Sequence, residues 1–438
     1  MMTLTHSSEA AEAKVQSLLE LMEQLISMPR DFALATPLVQ AMADGLAELT
    51  GVSVEEEMLT RDDAETQHGV AISPVQAAKC LKEPLRTQVF MQGVKQAIED
   101  ALAANERVRI LYAGTGPYGL LLLPLVARYF REAPLDICLI DIHARNVSSI
   151  QHLVSLYGIE ERVVSVDEAD ATLWQPSAID AFDILISETM TAMLRREPQV
   201  KIFAHLEQFL KPEGVLIPQE IQIHASLESN DGNERVLLGH VFTLSRETAQ
   251  AAREERMDAY QGVLEVPDGE GLPTRLCVET DLKVYGEHWL RRNECSLNMP
   301  IYVDALYFGE RRQIPFHYDF SESPDFIYDT PHYQPDPQLT SREDRGSLGL
   351  MHLKRFWHKV QLDKAGRLDR ELRSQEFDLD FTLVQACGGQ LQQWYEAAYS
   401  QHPPDFESFE AWVQASHALD APRLAVVNDQ LQAPCGCE

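Results

Sequence analysis

The amino-acid sequence predicts an α/β protein built on a doubly wound parallel sheet. Two observations support this prediction. Short apolar, β-branched runs alternate with helical segments between residues 108 and 218, and the first run ends in a glycine-rich turn at 114–119. After Pro218 the chain becomes richer in alternating, strand-like segments, which predicts a second domain, an antiparallel β barrel or sandwich.

The composition limits the classes of partner. At 438 residues the chain is long enough for two or three structural units, and 68 acidic residues face 37 lysines and arginines. A surface with this charge repels nucleic-acid phosphates and anionic membranes and favours cationic partners. We therefore expect no nucleic-acid or membrane partner.

Seven scattered cysteines, an odd number, indicate reduced thiols rather than a disulfide framework. The amino terminus lacks a basic segment followed by an apolar core, so we expect no signal peptide and a cytoplasmic location. Cys435 and Cys437 could bind a metal or form a redox pair, but a frayed terminus is the stronger interpretation. We predict no metal.

Residues 1–72 are predicted to form a helical cap. Apolar residues recur at helical spacing between residues 9 and 28, and a second helix over Leu38–Leu49 is closed by Gly51. The apolar positions of the first helix are Val15, Leu18, Leu19, Met22, Leu25 and Ile26.

Residues 73–218 are predicted to form the Rossmann-like domain. Pro84 suits the first turn of a helix that carries Arg86 and Thr87 before its apolar stripe begins. A strand from Val108 leads into the glycine turn. The elements predicted after it are a helix over Leu120–Phe130, strands over Ile137–Ile140, Arg162–Val166 and Phe182–Ile186, helices over Asn146–Tyr157 and Val200–Leu210, and a fifth strand ending at Pro218.

Residues 219–438 are predicted to form the β-rich domain with a helical insertion at about 248–260 and a mixed carboxyl-terminal extension. A Pro- and Asp-rich loop or linker is expected over Pro331–Arg345. The predicted strands are Ile221–Leu227, Val263–Val266, Arg275–Val284, Met299–Phe308, Ile314–Phe320 and Phe377–Val384, and the later helices are Gln390–Tyr399 and Phe406–His417.

The turn Gly114-Thr115-Gly116-Pro-Tyr-Gly119 fits the GxGxxG pattern of nucleotide-binding turns. Glycines let a ligand lie close to the backbone, and Asp141 closes the next strand where a ribose hydroxyl needs an acceptor. The pattern alone does not separate a nicotinamide dinucleotide from S-adenosylmethionine.

Asp170 and Ala171 follow the third strand, where a carboxylate and a backbone amide could bind an adenine amino group. Asp167 and Glu168 compete for this role, and a solvated acidic loop explains the segment equally well.

Glu188 and Glu197 are separated by nine residues at the carboxyl end of the fourth strand. If the intervening loop folds back, two carboxylates face each other where open α/β sheets bind ligands. Such a pair suits a planar guanidinium. The alternative is two unrelated surface acids beside Arg195 or Arg196.

Together these segments resemble the protein arginine methyltransferase family. Leu85–Phe90 matches the family's Arg-Thr helix, Ser187-Glu188 and Glu197 match its double-glutamate loop, and Phe209–Pro218 matches the segment that follows. Departures occur at Tyr112, Tyr118 and Thr189, and the nearest string to the family's Thr-His-Trp motif is Glu287-His288-Trp289.

The resemblance implies S-adenosylmethionine as cofactor, a homodimer, and a role for 248–260 as a dimerisation arm, although that segment could equally be a lid. It implies Glu188 and Glu197 as the catalytic clamp. The implied cofactor-binding residues are Arg86 for the methionyl carboxylate, Gly114, Thr115 and Gly116 for backbone contact, Asp141 for the ribose, and Asp170 and Ala171 for the adenine.

The function expected is an S-adenosylmethionine-dependent N-methyltransferase that acts on a guanidino group of a small molecule or peptide. One alternative is a small-molecule methyltransferase with another carbon, oxygen or nitrogen nucleophile. A second is a cofactor-binding subunit without turnover. A nicotinamide dehydrogenase ranks last, because it leaves Arg86 and the double-acid loop unexplained.

Overall fold

The computed structural model describes residues 2–54, 63–177, 181–228, 234–267, 275–305, 313–329, 350–364, 377–400, 405–420, 422–423 and 426–427. The predictions for Pro331–Arg345 and for Cys435 and Cys437 fall outside these ranges. No helix in the described ranges combines the length and the apolar character that a membrane crossing requires.

The chain begins with two helices, α1 (Met2–Ser27) and α2 (Phe32–Thr50), as the apolar spacing predicts. Asp31 caps α2 by accepting the Leu34 backbone N–H, and Gly51 ends the helix in the left-handed region with φ 70°. The six apolar positions predicted for α1 are all buried. The amide of Gln88 donates to the carbonyls of Leu25 and Met28, which docks α1 onto the domain that follows.

The helical prediction for residues 1–72 is wrong at its end. Strands β1 (Ala64–Thr66) and β2 (Gly69–Ala71) pair as an antiparallel hairpin. Each strand has only three residues, so neither produces a detectable period-two pattern in the sequence.

The parallel sheet contains five strands in the order β5-β4-β3-β6-β7, and every neighbouring pair is parallel. This confirms the predicted doubly wound, Rossmann-like sheet. The order reverses between β3 and β6, and ligands of such sheets bind at this reversal. The strands are β3 (Val108–Ala113), β4 (Leu135–Asp141), β5 (Val163–Glu168), β6 (Phe182–Ser187) and β7 (Leu210–Ile217).

Helices cover the sheet, and the apolar stripe predicted after Pro84 lies on one of them, where Phe90, Val94 and Ile98 are fully buried. The helices are α3 (Pro74–Lys79), α4 (Pro84–Ala104), α5 (Leu123–Tyr129), α6 (Ala144–Tyr157) and α7 (Gln199–Leu206).

Two antiparallel sheets follow, as predicted for the second domain. One has the order β12-β11-β8-β9 with β13 also paired to β11, and the other has the order β10-β14-β15. Aromatic contacts join them, for example Phe242 and Phe326, whose ring centroids lie 5.4 Å apart. The strands are β8 (Glu220–Glu228), β9 (Arg235–Leu244), β10 (Gln261–Glu265), β11 (Arg275–Tyr285), β12 (His288–Leu290), β13 (Ile301–Ala305), β14 (Gln313–Asp319) and β15 (Asp325–Tyr328).

The helical insertion begins two residues before the predicted 248–260 and is interrupted between Arg253 and Met257. It consists of α8 (Arg246–Arg253) and a 3-10 turn over Met257–Tyr260. Arg253 forms an ion pair with Glu207, at 2.9 Å, which holds α8 beside α7 of the same chain. None of the insertion's residues lines the cavity of the candidate site, which argues against a lid. The homodimer stays a prediction.

The described residues beyond 350 are helical and enclose a core of their own around Trp394 and Phe409. The strand predicted over Phe377–Val384 is wrong, because this segment lies in a helix. The helices are α9 (Leu350–Lys364), α10 (Phe377–Ala386), α11 (Leu391–Ser400) and α12 (Phe406–Ser416), and the last two agree with the predicted helices.

Candidate functional site

A cavity of about 670 Å³ lies at the carboxyl ends of β3, β4 and β6. It falls within the usual size range of small-molecule sites. All nine residues predicted for catalysis or cofactor binding line it, although they come from five separate parts of the chain. They are Arg86, Gly114, Thr115, Gly116, Asp141, Asp170, Ala171, Glu188 and Glu197.

The glycine turn forms one wall of the cavity. Gly114 and Gly116 have φ angles of 74° and 59°, a region that favours glycine. A Cβ atom on Gly114 would collide with the Cγ2 of Thr189. The first glycine is therefore required both by its backbone angle and by its close approach to the double-acid loop.

Asp141 organises this turn. Its Oδ2 accepts the backbone N–H of Gly116 at 2.9 Å and the hydroxyl of Thr115 at 3.3 Å. Its Oδ1 accepts the backbone N–H of His143 at 2.9 Å and the amide of Asn146 at 3.0 Å. A carboxylate has about four acceptor positions. The Thr115 hydroxyl also lies 3.1 Å from the carbonyl of Gly116, so at least three of the acceptor positions of Asp141 are used within the protein.

Asn146 offers a further acceptor beside Asp141. Because its Nδ2 donates to the carboxylate of Asp141, the orientation of its side-chain amide is fixed by chemistry. Its Oδ1 is then left buried without a hydrogen-bond partner, on the lining of the cavity. A buried unpaired acceptor is costly, so this oxygen is available to a donor from a ligand or from water.

The structure distinguishes among the acids that follow β5. Asp170 and Ala171 line the cavity, whereas Glu168 is exposed outside it. Asp167 accepts a hydrogen bond of 2.9 Å from the indole of Trp174. Of the three acids, Asp170 is therefore the one that lines the cavity.

Arg86 lies in the first turn of α4 and reaches into the cavity. Its Nη2 donates to Glu188 Oε2 at 2.5 Å, and its Nη1 donates to Glu83 Oε2 at 3.0 Å. Glu83 also accepts the backbone N–H of Ser296 at 3.1 Å. One carboxylate thus connects the cavity's arginine to a loop of the β domain.

Glu188 follows directly after β6 and has one oxygen free. Its Oε1 is buried and has no hydrogen-bond partner. Burial raises the pKa of its carboxyl, and the nearby charge of Arg86 partly offsets this effect. The backbone beyond it is held by Gln199, whose Oε1 accepts the N–H of Thr189 at 2.7 Å.

Glu197 is 6 % exposed and lines the same cavity. Burial, followed by the negative charge of Glu188, raises the pKa of Glu197 to about 8. A carboxyl of this kind is close to its titration point at neutral pH. A nearby cation would strongly stabilise its ionised form. Glu188 and Glu197 therefore lie in one cavity and are buried there, unlike two unrelated acids on the surface.

The loop between the two acids has an unusual backbone. Three of its residues other than glycine adopt positive φ angles of about 60°, which costs energy for side chains with a Cβ. These residues are Met193 at 64°, Leu194 at 58° and Arg196 at 63°. Such a conformation persists only where neighbouring groups hold it in place.

The β domain supplies those groups. The backbone N–H of Met193 donates to the hydroxyl of Thr280 at 2.9 Å, and the carbonyl of Leu194 accepts the hydroxyl of Tyr318 at 2.9 Å. The guanidinium of Arg195 lies 2.9 Å from Asp325. The second domain therefore fixes the position of Glu197.

The hairpin of β1 and β2 secures the same loop from the amino-terminal side. The backbone N–H of Val70 donates to the carbonyl of Arg196 at 2.8 Å. Gly69 packs so tightly that a Cβ atom there would lie 2.5 Å from that carbonyl oxygen and 3.0 Å from the nitrogen of Pro198. The hairpin that sequence reasoning missed is thus part of the site.

Sequence reasoning also missed other residues that line the cavity. Cys80 faces the acids, and burial raises the pKa of its thiol to about 11, so the thiol stays protonated. Ser296 and Leu297 reach the cavity from the β domain, at a position that no local pattern marks. The string Glu287-His288-Trp289, the nearest to the family motif, does not line it.

A second cluster of acids lies in the β domain but does not favour a metal. Glu228, Cys277 and Glu279 lie close enough to share an ion. However, Arg292 approaches Glu228 at 2.8 Å and Arg235 approaches Glu279 at 2.6 Å. The carboxylates are already neutralised, so this cluster is an internal ion-pair network.

Comparisons with known proteins give a limited result. No protein-family model matches the chain, and no curated protein matches its sequence. Among solved structures, the chain is similar to one from the Trypanosoma brucei PRMT1 enzyme–prozyme heterotetrameric complex with AdoHcy. The identity is 15 %, the TM-score is 0.39, and the match covers 55 % of this chain and 86 % of that chain. We draw no functional conclusion from a likeness of this extent.

Proposed function

We propose that the protein is an S-adenosylmethionine-dependent N-methyltransferase that acts on a guanidino group of a small molecule or peptide. The observation that carries the proposal is the burial of Glu188 and Glu197 in one cavity with the glycine turn. The pKa of Glu197 is raised to about 8, so a positively charged ligand between the two buried acids would stabilise their ionised forms.

The residues present fit this cofactor. Gly114 and Gly116 allow a ligand to approach the backbone, and the unpaired Oδ1 of Asn146 can accept a ribose hydroxyl beside Asp141. Asp170 and Ala171 suit an adenine amino group, because they line the same cavity past the end of β5.

Arg86 completes the cofactor site. Its guanidinium would bind the carboxylate of the methionyl end, as a planar fork suits a carboxylate. When bound, the cofactor supplies an electrophilic methyl group on a sulfonium.

The two acids prepare the acceptor. A guanidinium remains protonated at physiological pH and presents its N–H groups in a fixed fork. The unpaired Oε1 of Glu188 accepts one of these N–H groups, and the carboxylate of Glu197 accepts another. This grip leaves one nitrogen oriented for in-line attack and draws positive charge away from it.

A proton must also leave the nitrogen that is methylated. Glu197 is suited to receive it, since burial raises the pKa of its carboxyl to about 8 and a bound cation stabilises the ionised form beforehand. Glu188 is held in place by the hydrogen bond from Arg86 and keeps its Oε1 directed to the acceptor.

The test is turnover of labelled S-adenosylmethionine with a panel of guanidino compounds, Arg-containing peptides, other amines and carbon acids. We expect Glu188→Gln and Glu197→Gln each to lower kcat by about 100-fold or more, as loss of one preorganised charge does. Glu168→Gln, an exposed acid outside the cavity, is the matched control. Full activity in both cavity variants would overturn the clamp.

The same panel separates the alternatives. Methylation of an amine or carbon acid but of no guanidino compound would favour a different nucleophile. Cofactor binding by calorimetry without methyl transfer to any member would favour a non-catalytic subunit.

A further inference from the structure

Arg196 places a positive charge beside Glu197, and this charge partly offsets the rise in the pKa of the Glu197 carboxyl. Arg196 directly precedes Glu197, lines the same cavity, and is exposed. Its backbone is fixed on both sides, because its N–H donates to the carbonyl of Pro324 at 2.8 Å and its carbonyl accepts from Val70 at 2.8 Å. Its side chain is thus presented by a rigid frame.

The other two arginines of the cavity already pair with protein carboxylates, and Arg86 is also assigned to the carboxylate of the proposed cofactor. Arg86 pairs with Glu83 and Glu188, and Arg195 pairs with Asp325. The guanidinium of Arg196 makes no ion pair or side-chain hydrogen bond with the described part of the chain. In a protein with 68 acids and 37 lysines and arginines, an unpaired arginine beside two buried acids is unexpected.

We infer that Arg196 is a specificity-determining residue that binds a carboxylate of the substrate. The inference rests on the proposed function and narrows its substrate class. The acceptor is a small guanidino acid, with its guanidinium between Glu188 and Glu197 and its carboxylate on Arg196. Arginine binds a carboxylate through two parallel hydrogen bonds, which gives geometric selectivity as well as attraction.

The same charge acts against other substrates. A polybasic peptide would bring further cations towards Arg196, and juxtaposed like charges lower affinity. A cavity with acids inside and an arginine beside them therefore favours a molecule that carries both signs of charge.

The experiment compares L-arginine with agmatine, which has the same guanidino chain and amine but no carboxylate, at saturating cofactor. We expect the KM of agmatine to be roughly fivefold higher, about the worth of one partly exposed ion pair. In Arg196→Asn the ratio of the two KM values should fall to about one, because the new side chain has no charge. Asparagine is chosen because it tolerates the left-handed backbone at this position.

Two further variants serve as controls. Arg196→Lys keeps the charge and should retain part of the discrimination. Arg107→Gln removes an exposed arginine outside the cavity, paired with Asp136, and should leave the ratio unchanged. A general structural defect would alter kcat for both substrates and would not abolish the ratio selectively.

Each outcome decides between the two proposals. If Arg-containing peptides are methylated but neither small compound is, this inference is overturned while the proposed function stands. Equal KM values in the wild type, or a ratio that persists in Arg196→Asn, also overturn it. If no guanidino compound of any kind is methylated, the proposed function fails and the inference fails with it.

Discussion

The guanidinium of Arg86 donates a hydrogen bond of 2.5 Å to the carboxylate of Glu188, across 102 positions of sequence. One residue was predicted to hold the cofactor and the other to hold the methyl acceptor. Because the two residues touch and line the same cavity, the proposed cofactor and acceptor subsites would be continuous. A change at either residue is therefore expected to affect both ligands.

The first prediction concerns Arg86→Lys. Lysine keeps the charge but cannot donate in a fork to Glu83, Glu188 and a ligand carboxylate together. We expect the Kd of S-adenosylhomocysteine, measured by calorimetry, to rise roughly tenfold, consistent with loss of one charge-assisted hydrogen bond. Methylthioadenosine, which lacks the carboxylate, should bind both proteins equally. An equal loss of affinity for both ligands would contradict the assigned role.

The second prediction concerns Glu197 and pH. The pKa of this carboxyl is raised from 4.5 to about 8, so the folded protein holds a proton that the unfolded chain releases at lower pH. Stability associated with this group is therefore complete below about pH 4.5 and is lost as pH rises towards 8. In Glu197→Gln this loss should disappear.

Urea unfolding of both proteins at pH 5, 7 and 9 provides the measurement, with pH values chosen on either side of that pKa. The gain in unfolding free energy for Glu197→Gln should grow with pH, to an upper limit of roughly 4 kcal/mol. Glu168→Gln, exposed outside the cavity, should show a difference that does not change with pH. Parallel behaviour of the two variants would show that Glu197 titrates normally.

The sequence predicts the parallel sheet correctly, and the nine residues that it proposes for the site line one cavity, for a physical reason. Buried strands need continuous apolar runs, and a turn with positive φ angles needs glycine, so both leave local signals at 108–119. The interval of nine residues between Glu188 and Glu197 is likewise visible in the sequence. The sequence does not reveal which side chain forms an ion pair with each site residue. Glu83, which pairs with Arg86, is an example.

The failures have equally specific causes. The segment Phe377–Val384 alternates apolar and polar residues, which favours a strand. In the fold, Leu383, Val384 and Cys387 are buried, a spacing that suits one face of a helix packed on other helices. The apolar residues of this segment fit both the period of a strand and the period of a helix. Packing against the neighbouring helices selects the helix.

The third prediction concerns the contact between the hairpin and the double-acid loop. In Gly69→Ala the new Cβ would lie 2.5 Å from the carbonyl oxygen of Arg196, so the loop must shift. We expect a loss of roughly 1–3 kcal/mol in unfolding free energy and a lower kcat, because Glu197 follows Arg196 directly.

Gly239→Ala is the matched control for this prediction. Gly239 also has a positive φ angle, 116° against 141° for Gly69, but a Cβ there meets nothing within 4 Å. Backbone strain therefore contributes to both variants, while the steric clash is confined to Gly69→Ala. Urea unfolding and steady-state kinetics on both variants separate the two effects. A kcat that falls only in Gly69→Ala would indicate that the hairpin positions the double-acid loop. Equal kcat values in the two variants would contradict this role.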